Sequence, residues 1–330
     1  MRRIEGVAYA RAGLLGNPSC MYQGKTISFV IRNFKATVKI EQAENFEIVR
    51  GSAEKLTFPS FIDMVREIDK YGCYDGIRLL RSAIKKFTDY WPGLFDIQNT
   101  DYPLKFKISY HTNIPRQAGL AGSSAIIIAL LRALMSWFDV EAQPAVLAEL
   151  ALAAEIEELG IAAGQSDRVV QAYEGVLYMD FMPPITAKSY IRIEKELLPA
   201  LFIAWDPNRG QCSGKIHNDF WKRWHLGDPV ARNVINEFKQ LADKGLECLK
   251  KRDLICFQQL VNKNFDTRAS QWKINPRDFE MVAIGRKKGA AVKFCGSGGS
   301  VVGVIPDNSN FPLIEESYRA NGFMIIRPEI

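Results

Sequence analysis

The chain has 330 residues, of which 47% are hydrophobic and 24% are charged. This length suits one large domain or two ordinary ones, and the composition excludes a disordered or membrane-embedded chain. The net charge of +6 is mild and scattered, which argues against nucleic-acid binding and favours small anionic substrates.

The cysteines and histidines show no metal-binding pattern. Six cysteines form no C-x-x-C pair, and three histidines lie in no metal-ligand spacing, so we predict reduced thiols and no zinc site. The N-terminal residues lack the apolar core of a signal peptide, and no apolar run reaches membrane-spanning length. We therefore expect a soluble cytoplasmic protein.

The first half of the chain alternates predicted strands and helices. The predicted strands are 7–15, 26–32, 36–41, 46–50, 104–111 and 175–181. The predicted helices are 61–71, 76–90, 126–138, 145–159 and 162–173. Strands 26–32 and 36–41 are separated by Asn33-Phe34-Lys35, which predicts a hairpin.

The second half begins after Met182-Pro183-Pro184, the first clear break in the pattern. The predicted strands are 200–205, 290–294, 301–305 and 324–327. The predicted helices are 215–224, 229–250, 254–269, 276–287 and 313–321. The last strands and helix form a β-turn-β-α-β arrangement that is typical of an α+β sandwich.

A Gly/Ser-rich loop lies between a predicted strand and an apolar helix, with the sequence Pro115-Arg116-Gln117-Ala118-Gly119-Leu120-Ala121-Gly122-Ser123-Ser124-Ala125. A glycine-rich loop that opens a helix leaves backbone N–H groups available to an anion. The two serines can cap the helix or reach a metal-bound phosphate. No lysine follows the last glycine, so this is not a P-loop. The alternative is a capped helix after a turn.

Three further features carry chemistry. The first is a second Gly-rich loop, Cys295-Gly296-Ser297-Gly298-Gly299-Ser300. Its glycines allow the backbone to approach a ligand closely; the alternative is a long hairpin turn. Glu155 and Asp167 lie in apolar surroundings and suit the two carboxylates of phosphoryl transfer, although Asp167 can also cap a helix. Arg11 ends an apolar strand and suits an anion, or it faces water on an edge strand.

These segments resemble a known family. In order, 11–19, 115–125 and 293–300 are similar to the three sequence motifs of the GHMP kinases, with Gly122 as one extra residue in P-x-x-x-G-L-x-S-S-A. The strings most similar to plant-type glucuronokinases are Leu15-Gly16-Asn17-Pro18-Ser19, Thr112-Asn113-Ile114-Pro115-Arg116-Gln117, Leu159-Gly160-Ile161-Ala162-Ala163-Gly164, Gln165-Ser166-Asp167-Arg168-Val169 and Phe294-Cys295-Gly296-Ser297-Gly298-Gly299.

The resemblance implies a two-domain α+β GHMP-kinase-like fold. Residues 1–182 would form an N-terminal α/β domain that carries the Gly/Ser phosphate loop, and 183–330 a ferredoxin-like α+β domain. ATP and Mg²⁺ would be the cofactors. The residues implied to bind ATP are Pro115, Gly119, Leu120, Ala121, Gly122, Ser123, Ser124 and Ala125. Ser124 and Glu155 would bind Mg²⁺, with Glu157 and Glu158 as alternatives to Glu155.

The resemblance also assigns the remaining site residues. Asp167 would be the general base or orient the attacking hydroxyl, and Arg11 would pair with Asp167 and stabilise the transferring charge. The residues implied to contact substrate are Asn17, Ser19, Tyr22, Lys25, Arg168, Gly296, Ser297 and Gly298. Candidate cations for a substrate carboxylate are Lys25, Arg116, Arg168 and Arg268.

The implied reaction is ATP-dependent phosphorylation of D-glucuronate at its anomeric hydroxyl, which gives glucuronate 1-phosphate. Galactokinases carry Glu-His-x-Asp where this chain has Asn17-Pro18-Ser19-Cys20, and this departure argues against galactose. The alternatives are a kinase for another sugar or uronic acid, such as galacturonate or galactose, and a non-catalytic sensor of sugar and nucleotide. The expected partners are the uronic acid and ATP, with no nucleic acid and no membrane.

Overall fold

The computed structural model describes residues 2–50, 54–73, 77–95, 104–208 and 218–330. The chain divides into two compact units, each assembled from three stretches. Unit one comprises Met1–Ala10, Phe34–Ile114 and Gly122–Tyr173, and unit two comprises Arg11–Asn33, Pro115–Ala121 and Glu174–Ile330. Two long paired strands, β1 (Arg3–Leu15) and β2 (Lys25–Gln42), therefore contribute residues to both units.

The sheet of unit one is mixed. Besides parts of β1 and β2, it contains β3 (Phe46–Arg50), β4 (Glu54–Phe58) and β5 (Phe106–Thr112). Strand β3 pairs antiparallel with β4 and parallel with β5, and β5 pairs antiparallel with β2. Ile40, Ile108 and Ile48 lie opposite one another in adjacent strands and are buried, because β-branched side chains pack well on a pleated surface.

The described residues of unit one form the helices α1 (Phe61–Tyr71), α2 (Arg78–Tyr90), α3 (Gly122–Trp137), α4 (Pro144–Ile156) and α5 (Ser166–Tyr173). The core is rich in aromatic rings. The Phe46 and Phe106 ring centroids are 5.0 Å apart, and those of Phe106 and Trp137 are 5.2 Å apart. Such contacts fix helix α3 on the sheet, since large buried rings dominate core energetics.

Unit two contains two antiparallel arrangements. Strands β6 (Val176–Asp180) and β7 (Tyr190–Ile193) extend from β2, so that Lys25 lies opposite Asp180. A separate four-stranded sheet has the order β11-β8-β10-β9. Its strands are β8 (Leu201–Trp205), β9 (Ala291–Phe294), β10 (Ser300–Val304) and β11 (Met324–Ile326).

The helices of unit two are α6 (Asn218–His225), α7 (Pro229–Lys251), α8 (Leu254–Gln271), α9 (Pro276–Lys287) and α10 (Phe311–Ala320). The side chains of Asp228, Asp253 and Asn275 cap α7, α8 and α9 by accepting backbone N–H groups. One buried cluster joins the four-stranded sheet to α9 and α10. A second, aromatic cluster joins Tyr22 to α6, α7 and Trp272.

The predicted elements are confirmed for most of the described chain, but the predicted hairpin at Asn33-Phe34-Lys35 is wrong. Strand β2 runs straight through these residues. Their polar groups bond on both sides of the strand: Lys35 N–H donates to the Asn113 side chain, and the Asn33 side chain accepts from Glu329 N–H. These bonds hold the strand extended, and the segment has no glycine for a tight turn.

The prediction of reduced thiols is wrong for one pair, since the structure pairs Cys248 with Cys256 in a disulfide. Cys295 is a free thiol, and Cys212 lies outside the described residues. Within the described residues, no helix has the length and hydropathy needed to cross a membrane. The division of the chain into domains 1–182 and 183–330 stays a prediction.

Candidate active site

The Gly/Ser loop passes from unit two, which contains Pro115–Ala121, into unit one, where α3 begins at Gly122. Ser123 and Ser124 therefore lie in the first turn of α3, where backbone N–H groups have no partner within the helix. Together with the positive end of the helix dipole, these groups favour an anion. A helix therefore begins within the Gly/Ser loop, and anion binding at its first turn stays a prediction.

In unit one, a buried charge pair lies beside the loop. The Ser123 hydroxyl donates to Glu155 Oε1 at 2.7 Å, and the guanidinium of Arg168 contacts Glu155 Oε2. Glu155 is completely buried in α4. Glu157 and Glu158 both pair with Lys86 at 2.7 Å instead. Among the three acidic candidates, Glu155 is the one bonded to the loop.

Asp167 lies in the first turn of α5, next to the same arginine. Its Oδ2 is 3.6 Å from Arg168 Nη1, and its side chain is 22% exposed. Arg168 also donates to the Gly164 carbonyl at 2.7 Å, which fixes the guanidinium between two carboxylates. The structure thus brings Ser123, Glu155, Arg168 and Asp167 into one cluster, in which Ser123 and Asp167 are partly exposed.

The second serine has a different partner. The fully buried Ser124 hydroxyl donates to Gln171 Oε1 at 2.7 Å, and Gln171 Nε2 donates to the Tyr9 carbonyl at 2.8 Å. Arg132 on α3 donates to the carbonyls of Gln171 and Ala172, which end α5. These contacts dock α5 on α3 and position Asp167. Neither Gln171 nor Arg132 is among the residues predicted from the sequence, although an arginine inside the apolar helix α3 is an unusual feature.

In unit two, the first half of the Gly/Ser loop packs on the C-terminal Gly loop. Gly119 has a φ of +67°, and a Cβ there would lie 2.5 Å from the Gly298 carbonyl. The Ser300 hydroxyl donates to the Ala118 carbonyl at 2.6 Å. Arg11 N–H donates to the Leu120 carbonyl at 3.2 Å. The three motifs identified in the sequence therefore meet within unit two.

Arg11 and Lys293 connect these motifs through hydrogen bonds. Arg11 Nη1 donates to the carbonyls of Gly119 and Cys295 at 3.1 and 2.8 Å. Lys293 Nζ is buried and donates to the Gly13 carbonyl, Asn17 Oδ1 and the Phe294 carbonyl at 2.7, 2.6 and 2.7 Å. Burial lowers the pKa of Lys293 well below its ordinary value. The predicted pairing of Arg11 with Asp167 stays a prediction.

The predicted substrate residues in the first motif, residues 11–19 (motif one), and Tyr22 just after it are buried. Asn17 lies between Lys293 and Asn264, whose side chain bonds Gly16 N–H and the Asn17 carbonyl at 2.7 and 3.1 Å. The Ser19 hydroxyl donates to the Lys25 carbonyl at 2.9 Å. The Tyr22 ring is completely buried. Ser19 therefore stabilises the backbone between residues 19 and 25, and Asn17 is fixed by its hydrogen bonds to Lys293 and Asn264.

The candidate cations differ in their partners. Lys25 Nζ lies 3.1 Å from Asp243 and 3.5 Å from Asp180. Burial lowers the pKa of Lys25, but the hydrogen bond and charge of Asp243 outweigh it and raise the pKa overall. Arg116 is exposed. Arg268 is buried and donates to the carbonyls of Gly296 and Ser297 at 2.7 and 3.3 Å.

Several residues that form hydrogen bonds to motif one and to the C-terminal Gly loop are not among those predicted from the sequence. Asn264 and Lys293 anchor motif one, and Asp278 accepts Gly299 N–H at 3.1 Å. Each is a buried polar residue, and Lys293 lies in the otherwise apolar strand β9. Their partners are distant in sequence, so the pattern alone shows that they are unusual without showing what they contact.

Comparison with known proteins agrees with this arrangement. Residues 78–175 match the family described as GHMP kinases N terminal domain. The mevalonate kinase of Methanococcus jannaschii superposes with a TM-score of 0.75 at 20% identity, covering 100% of this chain and 98% of that one. This likeness shows the fold of a GHMP kinase and confirms the predicted α+β fold class.

Two curated proteins of Arabidopsis thaliana are more similar in sequence. The chain is 39% identical to probable glucuronokinase 2, covering 98% of this chain and 90% of that protein. It is 38% identical to glucuronokinase 1, covering 98% and 91%. The chain therefore belongs to the glucuronokinase family of the GHMP kinases, a family of sugar kinases that transfer phosphate to a hydroxyl.

Proposed function

We propose that the protein transfers the γ-phosphate of ATP to the anomeric hydroxyl of D-glucuronate, giving glucuronate 1-phosphate and ADP. The observation that carries this proposal is the identity of 38–39% to two proteins named glucuronokinases, over 98% of the chain. The mild positive charge and the buried cations of unit two suit an anionic sugar. A cytoplasmic location belongs to the same proposal.

The nucleotide would bind with its triphosphate on the N–H groups around the start of α3, from Gly119 to Ser123. A carboxylate and a serine hydroxyl are hard oxygen donors, so Glu155 with Ser124 or Ser123 fits magnesium, which usually keeps waters and phosphate oxygens as further ligands. Bound magnesium would supply charge neutralisation to the phosphates. This chain has no P-loop lysine for that purpose.

The reaction forms a bond between the anomeric oxygen and the γ-phosphorus and breaks the bond to the β,γ-bridging oxygen, which leaves with ADP. The hydroxyl proton passes to Asp167 and then to solvent. Phosphoryl transfer has a loose transition state, so orientation of the hydroxyl by Asp167 contributes as well as proton removal. Arg11 would stabilise the charge that develops on the transferring group.

The purified protein should consume ATP with D-glucuronate in a coupled ADP assay, and phosphorus NMR should show an anomeric phosphate. D-Galacturonate, D-glucose and D-galactose are the comparison substrates. Faster turnover of a neutral sugar would refute the uronate assignment. Thermal stabilisation by sugar and nucleotide without any turnover would favour a sensor.

Asp167→Asn tests the catalytic assignment. The amide keeps the shape of the side chain but cannot take a proton, so kcat should fall about 10²–10⁴-fold. ATP binding, measured by calorimetry, should stay near the wild-type value because the triphosphate site lies on the loop. Full activity in this variant would show that Asp167 is not the catalytic carboxylate.

A further inference from the structure

The candidate cations for the sugar carboxylate have distinct surroundings. Lys25 lies between the carboxylates of Asp180 and Asp243, and Arg168 contacts the carboxylate of Glu155. Arg268, in the last turn of α8, holds the neutral carbonyls of Gly296 and Ser297. A guanidinium has five N–H donors in a fixed fork, so it can hold a loop and bind a carboxylate at once.

Tyr22 is the second observation. Its side chain is 0% exposed, and its hydroxyl has no hydrogen-bond partner among the described residues. Buried hydroxyls are normally satisfied, since an unsatisfied one loses its water without compensation. A ligand oxygen would supply the missing partner. Tyr22 lies three residues after the end of motif one and ends the short 3-10 helix Ser19–Tyr22.

Packing places Tyr22 near the end of α8. Its ring centroid is 5.4 Å from that of Phe220, and the Phe220 ring is 4.3 Å from that of Trp272, one turn after Arg268. Thr267, the neighbour of Arg268, also has a buried hydroxyl without a hydrogen-bond partner among the described residues. Two unsatisfied hydroxyls thus accompany a buried guanidinium in unit two.

Electrostatics supports the same pairing. Burial raises the pKa of Tyr22, while the positive charge of Arg268 acts on the same hydroxyl in the opposite direction. The hydroxyl therefore keeps its proton at neutral pH and can donate it to an anionic oxygen.

We propose that Tyr22 and Arg268 recognise the carboxylate of the uronic acid, the tyrosine O–H and the guanidinium each donating to its oxygens. This inference rests on the proposed function and names the groups that select an acid over a neutral sugar. Glucose carries a hydroxymethyl group in place of this carboxylate and offers no negative charge to the guanidinium. The pair selects the carboxylate and leaves discrimination between glucuronate and galacturonate to other contacts.

Tyr22→Phe is the sharpest test, since it removes one hydroxyl that the protein itself does not bond. We expect KM for D-glucuronate to rise about 10-fold. KM for ATP should be unchanged, and the Tm should be no lower than that of wild type. The matched control is Tyr318→Phe, because the Tyr318 hydroxyl donates to the Met281 carbonyl at 2.6 Å in the core. It should lower the Tm and leave KM for the uronate unchanged.

Arg268→Met is the second variant that tests the proposed recognition of the carboxylate. The ratio of kcat/KM for D-glucuronate over D-glucose should fall at least 10-fold, and Arg268→Lys should restore part of it. If Arg268→Met does not fold, the Tyr22→Phe result decides alone. Wild-type activity on glucuronate with an unchanged KM in Tyr22→Phe overturns this inference and leaves the proposed function standing. Wild-type protein without activity on any uronic acid overturns both.

Discussion

At the scale of single residues, buried cations organise the C-terminal Gly loop through its carbonyls. The Phe294 carbonyl accepts from Lys293, the Cys295 carbonyl from Arg11, and the next two from Arg268. Burial lowers the pKa of Lys293, and the charges of Arg268 and Arg11 lower it further. The loop therefore lies in positive surroundings, where an anionic substrate is favoured.

The buried thiol of Cys295 gives the stability of the protein a measurable pH dependence. Burial raises the pKa of this thiol from 9.0 to about 11. Between pH 9 and 11 the thiol keeps its proton in the folded state and loses it in the unfolded state. The contribution of the thiol to the free energy of unfolding is therefore complete below pH 9 and is lost as pH rises through 11. Relative to Cys295→Ala, wild type should lose roughly 2–3 kcal/mol of unfolding free energy across that window.

Urea unfolding at pH 8, 9, 10 and 11 measures this difference for wild type and Cys295→Ala. Val302→Ala is the control, since Val302 is equally buried in the adjacent strand and has no titratable group. Its offset from wild type should be the same at every pH. A pH-independent offset for Cys295→Ala would show that the thiol does not titrate in this range.

The two loop serines should differ in magnesium dependence. Ser124 is predicted to bind the metal, while the Ser123 hydroxyl bonds the other predicted ligand, Glu155. Ser124→Ala should raise the magnesium concentration needed for half-maximal activity about 10-fold, and Ser123→Ala should raise it less, because the effect acts through Glu155. Magnesium titration of kcat at saturating ATP is the measurement. The reverse order would assign Ser123 as the ligand.

At the scale of helices and strands, periodicity predicted most of the fold. The helix α1 was predicted at its observed bounds, Phe61–Tyr71, since its apolar residues recur at helical spacing and Ser60 caps it. The predicted hairpin failed because two strand-like runs flank a polar break, and the partners that straighten it, Asn113 and Glu329, are remote in sequence. Local pattern cannot identify such partners.

The candidate site shows the same limit. The Gly/Ser loop, Arg11 and Asp167 could be identified because their motifs are contiguous and ordered along the chain. Gln171 and Lys293 could not, since each acts through a contact with a residue far along the chain, Tyr9 or Gly13. The different partners of Ser123 and Ser124, Glu155 and Gln171, are likewise invisible in sequence, where the two serines are adjacent and chemically identical.

The two glycines of the phosphate loop should respond differently to alanine. At Gly119 the φ is positive and a Cβ would lie 2.5 Å from the Gly298 carbonyl, so Gly119→Ala should cost about 1–3 kcal/mol of unfolding free energy. At Gly122 the nearest atom is Ile114 Cγ2 at 3.5 Å, and the residue begins α3. Gly122→Ala should be neutral or stabilising by up to about 1 kcal/mol.

Thermal and urea unfolding of both variants measure this contrast, with circular dichroism as a check on helix content. Equal destabilisation by the two substitutions would contradict the assigned loop geometry. A stable Gly119→Ala protein would mean that the loop 115–121 can move away from the C-terminal Gly loop at little cost.

At the scale of the whole molecule, the chain is interleaved. Unit two takes two short stretches, Arg11–Asn33 and Pro115–Ala121, from the half of the chain that otherwise forms unit one. These stretches carry motif one and the first part of the phosphate loop. The predicted binding residues of these two stretches thus belong to the unit that also contains the C-terminal Gly loop, although they lie about 280 and 180 residues away from that loop in sequence.

Cutting the chain at the predicted domain boundary should therefore leave 183–330 unable to fold alone. Lys293 would lose its bonds to Gly13 and Asn17, Asn264 its bonds to motif one, and Ser300 its bond to Ala118. Each buried group left unsatisfied costs about 1–3 kcal/mol, and the sum approaches the whole stability of a typical domain, about 5–15 kcal/mol.

The measurement is urea unfolding of the fragment 183–330, followed by far-UV circular dichroism, beside the full chain and a co-expressed pair of fragments 1–182 and 183–330. The isolated fragment should show no cooperative transition, and the pair should purify as a complex that regains one, because the paired fragment returns motif one and the phosphate loop to unit two. A cooperative transition in the isolated fragment would establish 183–330 as an independent domain and would mean that the bonds of Lys293, Asn264 and Ser300 contribute little to its stability.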